Sequence, residues 1–211
     1  MRRSLVALLF AFSALVSSHA EQVVFTEVMY NPPPGKPEFV EILNLTSNRL
    51  DLAKWRLRDG VEYTFPAFAP GGSAHFLGEY ERILVSAADP ATTRAAYPEI
   101  PASVRVFGPW SGTTALDDAG ERIFLEDAAG ARLCELNYRA GGKWPVAANG
   151  TGHSIIVANA NRKIDDWRNW QLSPRNGGSP GNSDTPPSNI GLYSTVAPVE
   201  AASFGIWVHA R

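Results

Sequence analysis

Apolar residues in this chain recur in short alternating runs, and proline or glycine cuts nearly every run. Gln22 to Tyr30 is rich in Val, Phe, Thr and Tyr, residues that suit a pleated and partly buried surface. After Pro32-Pro33-Pro34-Gly35, Val40 and Ile42 share one side while Glu41 points away, which predicts a half-buried strand of period two. Three prolines remove three backbone donors and fix three φ angles, so neither run can continue through them. The prediction is strand, rigid corner, strand.

The pattern repeats downstream. Arg49 to Asp59 reads as a further pair of strands, with Leu50, Leu52, Trp55 and Leu57 apolar and Asp59-Gly60 as a tight turn. Val61 to Phe65 alternates and stops at Pro66. Ala69 to Ser73 reads as a turn, and Glu81 to Ser86 as an inner strand. Residues 89–103 are looser; Asp89 followed by Pro90 is a start signal for one short helix over Thr92 to Tyr97. Arg122 to Glu126 and Arg132 to Tyr138 pair across Asp127-Ala128-Ala129-Gly130, with glycine available for a positive φ. Gly152 to Val157 supplies a final strand, and Trp167 to Asn182 is irregular. Short strands at close spacing, polar turns and no sustained helical periodicity predict an all-β antiparallel β-sandwich.

The first twenty residues read as a processing signal. Arg2 and Arg3 form a basic start, Leu5 to Val16 an apolar stretch shorter than a membrane span, and Ser18-His19-Ala20 a small-residue cleavage site. The expected organisation is a signal peptide over 1–20, one domain over 21–183 and a Pro-rich linker over 184–189. Residues 190–211 are then a tail, or the truncated start of a further domain. No transmembrane span is expected in the mature chain, which would be secreted, periplasmic or held at the cell surface.

Charge narrows the partners. Without Arg2 and Arg3, seventeen basic residues face twenty-one acidic ones, a formal charge of −4. That is the wrong sign for gripping phosphate backbones. The partner is instead expected to be a protein or another extracellular or cell-surface ligand. Cys134 is the one cysteine, so no internal disulfide forms; its strand-like surroundings predict a buried thiol.

Catalytic chemistry finds little support. His75 in a glycine-rich turn, His153 and His209 are the mature histidines. His153 precedes Ser154, but strand neighbours point to opposite faces and cannot form a dyad. A calcium site is the stronger contender, since calcium takes six to eight oxygens from carboxylates and carbonyls. The candidate oxygens belong to Glu27, Asn31, Glu38 and Glu41, or to the separate turn at Asp117 and Asp118. Against it, Glu38 and Glu41 lie on opposite strand faces and no calcium-loop spacing occurs, so no cofactor is assigned. Asn31 is expected to tie the proline turn to its own backbone.

In this order the motifs resemble a lamin-tail domain, an immunoglobulin-like module, over roughly Val23 to Asn182. The resemblance rests on Glu27 to Pro32, Glu38 to Ile42, Asn44, Leu50-Asp51-Leu52, Trp55, Leu57, Asp59-Gly60 and Tyr63 to Pro66. It continues through Gly120-Glu121, Ile123, Leu125, Asp127, Gly130, Tyr138, Trp144-Pro145, Gly152 to Ile155 and Gly178 to Asn182. It implies an immunoglobulin-like sandwich of the exported bacterial type, acting as a non-catalytic module for binding, adhesion or positioning outside the cytoplasm. Two alternatives go with it. One is an accessory domain of a larger secreted enzyme, beside a nuclease- or kinase-like domain. The other is a calcium-dependent carbohydrate-binding adhesin with Trp110, Trp144, Trp167 and Trp170 as stacking platforms. Heptads of a filament rod are absent, and Cys134 stands where related modules carry an acid.

Overall fold

The computed structural model describes residues 22–67, 75–111 and 114–183. The expected signal peptide, Ala69 to Ser73 turn, linker and tail, and His209, therefore lie outside the described residues. Among the described residues, twelve strands and one α-helix follow in order: β1 (Val23–Met29), β2 (Phe39–Asn44), β3 (Leu50–Asp51), β4 (Arg56–Asp59), β5 (Tyr63–Thr64), β6 (Phe76–Leu77) and β7 (Arg82–Ser86). Then come α1 (Pro90–Ala96), β8 (Arg105–Phe107), β9 (Arg122–Glu126), β10 (Arg132–Asn137), β11 (His153–Val157) and β12 (Trp170–Asn176). A six-stranded sheet has the order β12-β11-β1-β2-β7-β8 and a four-stranded sheet the order β10-β9-β4-β5; β3 and β6 form a small separate pair.

The predicted corner is present. β1 and β2 pair antiparallel with Val28 opposite Val40 and Met29 opposite Phe39. Between them Lys36 N donates to Pro33 O at 3.0 Å, and Gly35 takes φ +83°. β9 and β10 pair as expected, and their loop is closed by Asp127 N to Ala131 O at 2.9 Å. α1 starts at Asp89, whose side chain accepts from Ala91 N and Thr92 N.

The two large sheets enclose the main core. Val28, Val40, Ile42, Ile83, Val85 and Ile155 meet Leu57, Ile123, Leu125, Cys134 and Leu136 there. Trp55 is buried among them, and so is Cys134, as the sequence predicts.

Four expectations need correction. β2 is not half-buried: every residue of β1 and β2 is buried, Glu41 included. A second apolar cluster of Met29, Phe39, Leu84, Tyr97, Ile100, Val104 and Val106 covers the outer side of the six-stranded sheet. Each side chain fully buried there adds about 1.5–3 kcal/mol, so covering both sides outweighs leaving one wet. β11 is not the last strand, because the segment read as irregular forms β12 at its side. β3 and β4 are not partners: β3 pairs with β6, and β4 lies between β9 and β5. Last, one pair departs from the antiparallel rule. β8 runs parallel to β7, after a crossover through α1.

Candidate functional site

The structure separates the candidate oxygens into three places. Glu27 and Glu41 project from neighbouring central strands onto the outer side of the six-stranded sheet, and both are fully buried. There they hold the returning segment 177–182. Glu27 Oε1 accepts from Ser179 N at 2.8 Å and from Ser154 Oγ. Glu41 Oε2 accepts from Gly181 N at 2.7 Å, and its Oε1 takes Arg82 Nη1 at 2.6 Å and Thr26 Oγ1 at 2.5 Å. Burial pushes the Glu41 carboxyl up, while Arg82 and the hydrogen-bond donors pull it down. Buried carboxyls supplied with this many donors act as structural acceptors.

Asn31 does not tie its own turn. Its Nδ2 donates to Asn149 Oδ1 at 2.7 Å, linking the proline corner to the approach of β11. The corner itself presses on that approach: a Cβ on Gly152 would stand 2.6 Å from Pro33 Cγ.

The third place gathers groups from both sheets. Tyr30 follows β1, Glu38 precedes β2, and the turn Asp117 to Gly120 leads into Glu121, ahead of β9. Tyr138 follows β10. Tyr30 and Tyr138 stack with ring centroids 5.0 Å apart and planes 28° apart. Tyr138 Oη lies 3.0 Å from Asp117 O and 3.3 Å from Glu121 Oε1. Glu38 Oε2 accepts from Leu116 N at 2.9 Å, and Glu121 Oε1 accepts from Asp117 N at 2.8 Å. Asp117 Oδ1 accepts from Ala119 N at 2.7 Å and shapes the turn. Gly120 must be glycine there: at φ +98°, a Cβ would stand 2.4 Å from Arg139 Cα. Tyr30 is 0% exposed, and its hydroxyl has no hydrogen-bond partner among the described residues.

Electrostatics set this corner apart. The Glu38 carboxyl is pushed up to about 7, by burial first and then by Asp118 and Glu121 working against the Leu116 N–H. Burial raises Glu121 as well. Tyr30 and Tyr138 are raised by burial, with the charges of Asp118 and Glu121 respectively adding to it. A carboxyl poised near neutrality beside other carboxyls marks a candidate functional site. Sequence reading had Asp117, Asp118 and Glu38 separately; Tyr30, Glu121 and Tyr138 were named only as family-like positions. Their apolar-to-polar steps at strand ends were the available signal.

Among the described residues, no three His, Cys, Asp or Glu side chains form a group that could hold a metal ion. Three of the four tryptophans considered for stacking are packed inside the domain. Trp110, Trp144 and Trp170 are buried, with Trp110 Nε1 bonded to Thr114 O and Trp170 Nε1 to Ile164 O. Trp167, at 38% exposed, stands beside Lys143 Nζ at 5.4 Å and joins no exposed row of tryptophans among the described residues. His75 is half-buried against Phe76. His153 Nδ1 lies 2.9 Å from Ser173 O, while Ser154 Oγ turns to Glu27 on the other side. No helix among the described residues is long and apolar enough to cross a membrane.

The family model described as Lamin Tail Domain matches residues 16–140. That span takes in β1 to β10 and the whole tyrosine–carboxyl corner. It stops before β11, β12 and the 177–182 segment that complete the six-stranded sheet. No curated protein matches the chain.

Proposed function

Because the chain belongs to the Lamin Tail Domain family, we propose that it is an exported, non-catalytic immunoglobulin-like module that binds and positions a ligand outside the cytoplasm. One observation carries the binding half. The fold spends its deeply buried polar groups on itself: Glu27, Glu41, Ser154 and Ser173 all bond to the protein's own strands and closing segment. The tyrosine–carboxyl corner is different, with acids reaching solvent at Asp117 and Asp118 above a buried and unpartnered phenol.

The export half rests on the basic, apolar and small-residue order of residues 1–20. Expressed from Met1 in a bacterial host, the protein is expected outside the cytoplasm with a mass that begins at Glu21. Full-length protein retained in the cytoplasm would overturn export. For binding, the folded chain is screened on peptide and glycan arrays, with a chelator in half the wells. Retention of one ligand class, reduced by Asp118→Asn, supports the reading, and retention indifferent to every substitution in the corner refutes it.

A further inference from the structure

We infer that the two loops carrying Lys143, Arg162, Lys163 and Trp167 form a docking surface for an anionic lipid bilayer. This surface uses none of the tyrosine–carboxyl corner, so the inference goes beyond the reading above and does not rest on it.

Charge is divided unevenly along the chain. Residues 21–138 hold ten lysines and arginines against seventeen aspartates and glutamates, whereas residues 139–183 hold six against two. Such asymmetry between parts of one chain points to an anionic partner for the basic part. The acidic stretch also neutralises its own cations: seven of the ten meet a carboxylate. In the basic stretch, among the described residues, Arg168 alone does so, with Asp166 at 2.8 Å. Arg139, Lys143, Arg162, Lys163 and Arg175 are exposed and join no salt bridge among the described residues.

Packing then brings these cations to an exposed aromatic ring. One loop follows β10, and the other, residues 158–169, joins β11 to β12. Trp144 and Trp170 are buried with ring centroids 6.3 Å apart, which seats the two loops against each other. Residues just ahead of them stay outside. Lys143 Nζ stands 5.4 Å from the centre of the Trp167 ring, and Trp167 is one of two exposed large hydrophobic residues among those described. The second loop is fixed from within. Buried Asn169 donates through Nδ2 to Asn159 O at 3.0 Å and Lys163 O at 3.2 Å, and accepts at Oδ1 from Asn159 N at 3.1 Å. Trp170 Nε1 donates to Ile164 O at 2.7 Å. A frame tied this way presents Arg162, Lys163 and Trp167 at set positions.

The groups that project select the partner. A sugar stacked on an indole also needs amides and carboxylates around it to meet its hydroxyls. Here those groups are spent on the protein. Asn159 Oδ1 accepts from Asn161 N at 2.9 Å, and Asp165 Oδ1 from Asn137 N at 3.0 Å. Asp166 is taken by its hydrogen bonds to Arg168 and also feels the charge of Lys163. What remains free is an indole ring ringed by ammonium and guanidinium groups. Indole settles at the boundary between lipid headgroups and acyl chains, and lysine and arginine are drawn to anionic headgroups.

The test sediments the full chain with vesicles of equal parts phosphatidylglycerol and phosphatidylcholine. Every variant is compared with that chain, so segments outside the surface contribute equally to both. Lys143→Gln, Arg162→Gln and Lys163→Gln should each weaken binding about fivefold, the effect of one cation near an anionic surface. Added salt should weaken it further. Lys54→Gln, at an exposed cation of the acidic stretch, should change nothing. Acyl chains carrying bromine should quench the tryptophan emission of the full chain more than that of Trp167→Phe. The inference is overturned if phosphatidylcholine alone binds equally well, or if the three substitutions act no more strongly than Lys54→Gln. Equal quenching of Trp167→Phe, or binding to soluble polygalacturonate without binding to vesicles, would overturn it too. Asp118→Asn should reduce the array signal and leave vesicle binding unweakened, so the two readings fail separately.

Discussion

Two glycines with nearly the same backbone conformation should respond very differently to alanine. Gly35 lies in the proline corner at φ +83°, and Gly178 in the closing segment at φ +78°. A left-handed residue that gains a Cβ costs about 1–2 kcal/mol, and the stiffer unfolded chain returns about 0.4–1 kcal/mol of that. At Gly35 nothing lies within 4 Å of the added carbon. Gly35→Ala should therefore cost no more than about 1.6 kcal/mol. At Gly178 the added carbon would stand 2.3 Å from Glu27 Oε1, 3.0 Å from Ser154 Oγ and 3.3 Å from Met29 Cε. The carboxyl must leave, and Ser179 N and Ser154 Oγ lose their acceptor inside the protein. Stranding buried donors costs about 1–3 kcal/mol each, which brings Gly178→Ala to about 3–5 kcal/mol. Urea unfolding at constant pH reads the difference. With a slope of about 2 kcal/mol per molar, the two midpoints should separate by on the order of 1–2 M. If Gly178→Ala unfolds within about 0.5 kcal/mol of Gly35→Ala, the closing segment is not held by Glu27.

The carboxyl of Glu38 predicts a pH dependence. Its folded value of about 7 stands above the ordinary 4.5, so its contribution is complete below pH 4.5 and is lost as pH rises through 7. Because this side chain keeps part of its hydration, the loss is on the order of 1–2 kcal/mol, and Glu38→Gln should flatten stability between pH 5 and pH 8. A variant that keeps the full slope would refute the assignment. Asn44 is buried and ties two loops, through Nδ2 to Asn48 O and Gly78 O at 2.7 Å each and through Oδ1 from Thr46 N at 2.9 Å. Asn44→Ala should cost about 2–4 kcal/mol, and less than 1 kcal/mol by thermal unfolding would count against that role. Calcium in millimolar excess should leave Tm unchanged within about 1 °C, since binding to the native state would raise it by mass action. A rise of several degrees would show that the dispersed acids rearrange to bind it.

What could be read from the sequence was local. The proline corner, the β9–β10 hairpin and the Asp89 cap each rest on a few consecutive residues whose backbone chemistry leaves little choice. Pairings made over long separations were out of reach. β12 was missed because Pro174 and polar residues interrupt Trp170 to Asn176, which survives as an edge strand on β11. The burial of Glu41 was hidden because alternation shows which residues share a side, not what covers the other side. Val23-Val24-Phe25 did carry a warning, since consecutive apolar residues mark a strand enclosed on both faces. The corner follows the same logic. Glu38 and Glu121 stand 83 positions apart, and only sheet-on-sheet stacking brings them to one pair of tyrosines.

The grip of Glu27 and Glu41 on Ser179 and Gly181 also orders events in time. The Ser179 and Gly181 amides are synthesised more than a hundred residues after these acceptors, so in a chain still emerging each carboxyl lacks its backbone donor from the closing segment. Completion is deferred until the segment 177–182 is available. A version ending at residue 140, where the family match stops, should accordingly stay open to protease, whereas one ending at residue 183 should resist it.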